Sequence, residues 1–388
     1  MVPKLRFSKF SQEWTKIRLG DYLQNYQQKV SSDTDIPVYS SSRQGLKPQS
    51  EYFADRELQN DGEYGVVPCG YITYRHMSDD NTFHFNINDK LPKIAVSKEY
   101  PVFTGKGLNN YFLLSKLNHT NEFKLFAIQQ KAGGTRTRLY FKKLCEWCAT
   151  FPELEEQIQI ADFLSSVDEK ITLLNKQYDL LCQYKKGMMQ KIFSQEVRFK
   201  DENGEEFPEW ELKQLSEIAI INPKNKVIPS EFIYIDLESV EKGMLLKEQL
   251  VNKEDAPSRA QRLLVPGDVL FQLVRPYQKN NYIFLLNGDY VASTGYAQLR
   301  AKYNSLFLYQ LLHLESFTSE VMNRCTGTSY PAINSSDLAS IEAEIPCEKE
   351  QTKIANFLSA LDYKITTKKV ELDKLKTWKQ GLLQQMFV

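Results

Sequence analysis

Few residues in this chain have the types and spacing that catalysis requires. Cys145-Glu146-Trp147-Cys148 has the CxxC spacing of a zinc or dithiol centre. A structural zinc ion takes four donors, and here there is neither a second CxxC nor a nearby histidine, so buried or incidental thiols are the better account. Thr104-Gly105-Lys106-Gly107 lacks the spacing of a GxxxxGK(S/T) phosphate loop. Asn222-Pro223-Lys224-Asn225 begins like the NPP motif of an amino-methylase, but the second proline and the aromatic are missing, and it reads as a turn. Asp168-Glu169-Lys170 groups carboxylates with a lysine as a nuclease would. It lies on a regular helix, however, and a second copy of that helix carries Asp362-Tyr363-Lys364 instead, so a solvated helix face is expected. His76, His84, His119 and His313 are scattered, without metal spacing or a triad partner. No catalytic residue, metal site or cofactor of its own is expected in this chain.

Hydrogen bonding to nucleic acid finds more candidates. Arg or Lys reads guanine, Asn or Gln reads adenine, and phosphates accept from any basic or amide donor. Gly133–Tyr140 (GGTRTRLY) combines glycines that permit close approach with Arg136 and Arg138. Its counterpart, Arg324–Tyr330 (RCTGTSY), carries Arg324, Thr328, Ser329 and Tyr330. A second cluster, Tyr71–His76 with Tyr74 and Arg75, corresponds to Phe271–Lys279 with Gln272, Arg275, Gln278 and Lys279. A third is Thr104–Asn110, with Lys106, Asn109 and Asn110. In the competing account Arg136 and Arg138 only brace their loop, and Arg75 and Arg275 form internal salt bridges at strand ends. Equivalent placement in both halves of the chain favours the first two clusters as DNA contacts.

The elements that must position these residues are announced by a repeat. Residues 156–172 read EQIQIADFLSSVDEKIT and residues 350–366 read EQTKIANFLSALDYKIT, with eleven of seventeen positions matching at an offset of 194. The offset holds to Gly187/Gly381, Gln190/Gln384 and Phe193/Phe387. In the first copy Ile160, Leu164, Val167, Ile171, Leu174, Tyr178, Leu181, Lys185, Met188 and Ile192 follow each other in steps of four and three. The second copy gives Ile354, Leu358, Leu361, Ile365, Lys368, Leu372, Leu375, Lys379, Leu382 and Met386. These are heptad a/d stripes, narrow enough for a coiled-coil seam, and each predicts a helix of about 50 Å. Acids at the first helix's start (Glu153, Glu155, Glu156, Asp162) and lysines at its end (Lys185, Lys186, Lys191) suit the helix dipole. The simplest use of two such seams in one chain is to pair with each other. Two accounts stay open for the equivalent seam lysines Lys185 and Lys379: setting the register, or snorkelling past the seam to water.

The duplication extends beyond the helices. Arg6-Phe7, Trp14, Leu19 and Tyr22 recur as Arg198-Phe199, Trp210, Leu215 and Ile218. Pro68–Tyr74 matches Pro266–Phe271, each a strand after a turn. Gly133–Arg136 with Leu139 and Leu144 matches Gly327–Tyr330 with Ile333 and Leu338, and Pro152 and Pro346 precede the helices. Between these landmarks short strands (Ile94–Ser97, Tyr234–Asp236, Ile283–Leu286) mix with helices (Asn121–Gln130, Ser305–Leu314). The expected fold is α+β and pseudo-two-fold symmetric: globular domains over 1–150 and 196–344, separated by long antiparallel helices over 151–195 and 345–388.

Bulk properties set bounds. The chain has 388 residues, of which 42% are hydrophobic and 25% charged, as in a soluble globular protein. No apolar run approaches a membrane span, and the N-terminal segment has no signal-peptide core, so a cytoplasmic location is expected. Cysteines at 69, 145, 148, 182, 325 and 347 show no disulfide framework. The 49 basic and 49 acidic residues cancel, so DNA binding requires that charges be segregated over the surface.

Head, helix, head, helix, with paired EQxxIAxFLSxxDxKIT segments and GT-containing landmarks before them, resembles the specificity subunit of a type I restriction-modification enzyme over essentially the whole chain. The resemblance implies two target-recognition domains, each reading one part of a bipartite asymmetric double-stranded DNA site. It implies that the helix pair sets the gap and docks two modification (adenine-methyltransferase) subunits. S-adenosylmethionine then belongs to those subunits, and ATP and Mg to the restriction (motor-nuclease) subunits that join them. Two other classes compete: a coiled-coil adaptor that binds only proteins, and a stand-alone nuclease or methylase.

Overall fold

The computed structural model describes residues 3–53, 62–131, 136–224 and 227–387. Gly133, Gly134, Thr135 and Asn225, named above, lie outside the described residues. The chain forms two compact units, residues 1–175 with 370–388 and residues 176–369. Each therefore contains one globular head and about half of each long helix.

The long helices run over Leu154–Phe193 and Glu348–Met386. Each is tied back to the proline before it, by Gln157 Nε2 donating to Pro152 O (2.8 Å) and Gln351 Nε2 to Pro346 O (3.0 Å). In the second unit the pairing is antiparallel: Tyr178 meets Lys369 while Lys185 meets Asp362. In the first unit Ile160, Leu164 and Val167 share a core with Leu375, Leu382 and Met386. Every expected seam position is buried or half-buried, including Ile171, Leu181, Ile365 and Leu375 at the half-buried end and Leu174, Ile354, Leu358, Leu361 and Leu372 at the buried end.

In the first unit, strand Thr15–Arg18 pairs antiparallel with Cys148–Phe151, closing the head just before its long helix. A four-stranded sheet orders Leu23–Asn25, Val102–Gly105, Ile72–Tyr74 and Phe85–Ile87, and a three-stranded sheet orders Lys93–Ser97, Glu63–Pro68 and Lys29–Ser31. Helices Asn110–His119 and Asn121–Gln129 pack their apolar faces on this core. The second unit repeats the closing pair as Glu211–Gln214 with Glu342–Ile345. Its sheets are Ala219–Ile221, Tyr296–Ala301, Asp268–Gln272, Tyr282–Ile283, and Gln249–Asn252, Glu231–Ile235, Tyr290–Ser293, Ala260–Leu263.

The repeated landmarks have a physical role. Glu156 has no exposed surface; Arg6 grips both of its oxygens at 2.7 Å and Trp14 Nε1 donates to it at 3.4 Å. Glu350 is likewise fully buried, held by Arg198 at 2.7 and 3.3 Å and by Trp210 Nε1 at 3.1 Å. Phe7 meets Phe163 edge-on and Phe199 meets Phe357 in the same way. Leu139, Leu144, Ile333 and Leu338 are all buried.

Element boundaries differ from expectation in places. The helix expected over Ser305–Leu314 ends at Leu311, and a new helix, Glu315–Asn323, follows the break. The strand expected over Ile283–Leu286 is only Tyr282–Ile283, because Leu285 and Leu286 turn out to solvent. Helix Asn110–His119 was hidden by its apolar run, which buries Phe112, Leu113 and Leu117 at once.

Candidate nucleic-acid interface

In each unit the first two sequence clusters meet on one surface. In the first, Thr137–Arg138 pairs antiparallel with Met77–Ser78, and Leu139 N donates to His76 O at 2.8 Å. The His76 ring stacks on Tyr140 at 5.4 Å. Arg75, Arg136 and Arg138 are therefore neighbours, and all three are exposed. Arg75 and Arg138 make no side-chain hydrogen bond or ion pair among the described residues, whereas Arg136 Nε donates to Asp79 Oδ1 at 2.7 Å.

The second unit uses different chemistry at the equivalent place. Val274 bridges Ala332, and Arg275 N donates to Pro331 O at 2.7 Å. Thr326 and Ala332 exchange backbone hydrogen bonds around a tight loop, where Gly327 takes φ +88°, a region side chains resist. The loop presents Thr328, Ser329 and Tyr330 outward. The Arg275 guanidinium lies over the Tyr330 ring, 4.3 Å from its centre, and Tyr277 is exposed beside it. A cation on an aromatic face is held in place while most of its donors stay available.

Several expected contacts are corrected by burial or by internal bonding. Tyr74 is fully buried, its hydroxyl donates to Leu139 O (2.9 Å), and burial pushes its phenol far up from 10. Gln272 is buried too, with Nε2 donating to Val274 O (2.8 Å) and to Oε1 of the exposed Gln278 (2.9 Å). Asn109 caps helix Asn110–His119, accepting from Tyr111 N and Phe112 N, and Asn110 bonds Gly105, Gly70 and Thr104. Lys279 is spent on Glu315 (3.0 Å) and His313 O (3.1 Å). Arg324 is spent on Glu320, Asp337 O and Ser340. Arg and amide side chains serve loops as readily as DNA, and the two uses share the same residue types and spacing. Lys106 remains exposed.

The third sequence cluster is thus largely structural, and a further segment places polar side chains beside Arg75. Hairpin Tyr39–Ser42/Gly45–Pro48 carries Arg43 and Gln44 at its turn and Lys47 on its second strand. They line a cleft of about 420 Å³ together with Arg75, Ser78 and Thr82. Arg43 Nη2 bonds Asp80 and, at 3.1 Å, Thr82 Oγ1. The polar run Ser40–Gly45 is a legible turn, but it lies outside the landmarks that recur in the second half.

Among the described residues no three His, Cys, Asp or Glu side chains are grouped to hold a metal, and no helix is long and apolar enough to cross a membrane. Burial pushes the Cys145 thiol up, away from a reactive thiolate.

A family model described as the type I restriction modification DNA specificity domain matches the chain twice, over residues 12–183 and 207–377. The specificity subunit of the type I restriction enzyme MjaVIII of Methanocaldococcus jannaschii is 30% identical over 256 residues, covering 60% of this chain and 59% of that protein. The putative MjaX specificity subunit of the same organism is 26% identical over 99% of this chain and 97% of its own length. The type I restriction-modification S subunit from M. genitalium has a similar fold, with a TM-score of 0.64 at 15% identity over 100% of this chain and 99% of that one.

Proposed function

The chain belongs to the type I restriction-modification DNA-specificity family, and from that premise we propose that it is the non-catalytic, sequence-reading subunit of such an enzyme. One observation carries the reading: in both units the same two loops converge on one exposed surface, at equivalent points of a duplicated scaffold, with unlike side chains. A scaffold used twice with different reading groups suits a bipartite asymmetric DNA site. On the first unit the contacts proposed are Arg75, Arg136, Arg138 and Lys106, with Arg43, Gln44 and Lys47 added from the hairpin. On the second they are Arg275, Thr328, Ser329 and Tyr330.

The paired helices set the gap between half-sites and dock two modification subunits, which bring S-adenosylmethionine and methylate adenine. Restriction subunits, with ATP and Mg, complete the enzyme in the cytoplasm. The test is co-expression with a modification subunit, followed by mapping of methylated adenines across the host genome. A two-part motif with a fixed gap is expected. A stable complex that adds no methylation, and binds DNA without a steep loss of affinity as salt rises, would favour a protein-binding adaptor.

A further inference from the structure

Arg136 and Arg138 stand two residues apart on one surface, yet they are held differently. The Arg138 side chain has no hydrogen-bonding or ion-pair partner among the described residues. Arg136 is fixed through Nε, which donates to Asp79 Oδ1 at 2.7 Å, while Nη1 and Nη2 make no bond among the described residues. That leaves the end-on fork of the guanidinium open. Both partners are more than half exposed, so the pair contributes little to stability.

The loop bearing Asp79 is itself clamped. Asp80 Oδ1 accepts from Ser78 Oγ (2.9 Å), Thr82 N (3.2 Å) and Thr82 Oγ1 (2.7 Å). Its other oxygen accepts from Arg43 on the hairpin. On the opposite side Thr137, the neighbour of Arg136, bonds Asn81. A carboxylate on a pinned loop, holding an arginine by Nε, fixes the direction of the remaining fork. Guanine offers N7 and O6 side by side in the major groove, and a rigid two-donor fork matches that pair. Phosphate binding needs no such aim, and the unbraced Arg138 suits it.

We propose that Arg136 reads a guanine in the half-site of the first unit and that Asp79 is the positioning residue that aims it. The inference rests on the functional reading above. The closing experiment compares the complete chain with Asp79→Asn and Arg136→Lys variants, each co-expressed with the modification subunit. Methylated motifs are mapped, and binding to an unrelated duplex is measured alongside.

Asp79→Asn is expected to relax one G·C position in one half-site by at least about fivefold, leaving the other half and the gap unchanged. Binding to the unrelated duplex should stay equal or rise, since a negative charge is lost. Arg136→Lys should relax the same position, because an ammonium has no fork. The proposal is overturned if Asp79→Asn keeps the motif intact, if the two variants relax different positions, or if neither half-site contains a G·C pair. A wild-type complex that methylates nothing overturns the functional reading and the inference with it. The untouched half-site is the internal control, since a misfolded chain would lose both.

Discussion

Glu156 and Glu350 are carboxylates without exposed surface, each closed off by an arginine and a tryptophan from the start of its head. Removing one partner of a buried pair strands the other charge in the interior. Arg6→Ala and Arg198→Ala should each lower stability by about 3–5 kcal/mol. A urea titration reads this directly, and a loss below about 1 kcal/mol would contradict the clamp. His313 offers a pH-dependent counterpart. Burial holds its imidazole below the ordinary 6.5, helped by Lys185 and Lys279 and opposed by Asp362 and its bond to Tyr309 O. Below that value the unfolded chain takes up a proton that the folded one refuses, so stability falls as pH drops through about 6.5. His313→Gln should flatten the stability profile between about pH 7 and pH 5; an unchanged slope would mean other groups set it.

The long helices show how a seam tolerates charge. Lys185 and Lys379 occupy equivalent positions, and neither simply extends to water: Lys185 pairs with Asp362 at 2.6 Å and Lys379 with Asp168 at 2.5 Å. The two aspartates are equivalent to each other as well, so each copy supplies a lysine to the other's carboxylate. Gln310 Nε2 also donates to Asp362 (2.8 Å), tying the head to the stalk within the second unit. Register setting therefore has a partner, which snorkelling did not supply. Reversing one charge, as in Lys185→Asp, should destabilise that unit, and adding Asp362→Lys should recover part of the loss. A double-mutant cycle with a coupling of about 0.5–3 kcal/mol is expected; zero coupling would return the lysine to a solvent role.

At the scale of the molecule, the proposal that the helices set the gap is tested by changing their length. Matched seven-residue deletions from both long helices shorten each by about 10 Å, roughly three base pairs of DNA at about 3.4 Å each. The methylated motif should keep both half-sites and change only its gap, or methylation should be lost; an unchanged gap would show that the helices set no distance. The duplication, the helix pair and the α+β class were all legible in the residues, because heptad spacing and a constant offset of 194 survive any change of loop. His119 and His313 are also equivalent at that same offset, although neither stands at metal-ligand spacing. What no spacing could reveal was which polar side chains the loops keep for themselves. Gln272, Asn109, Lys279 and Arg324 have the chemistry of base readers, but Gln272 bonds Val274 and Gln278, the Asn109 oxygen caps a helix, and Lys279 and Arg324 bond Glu315 and Ser340 across the fold. Periodicity is a property of neighbours along the chain; exposure and hydrogen-bond satisfaction depend on residues that folding brings from elsewhere.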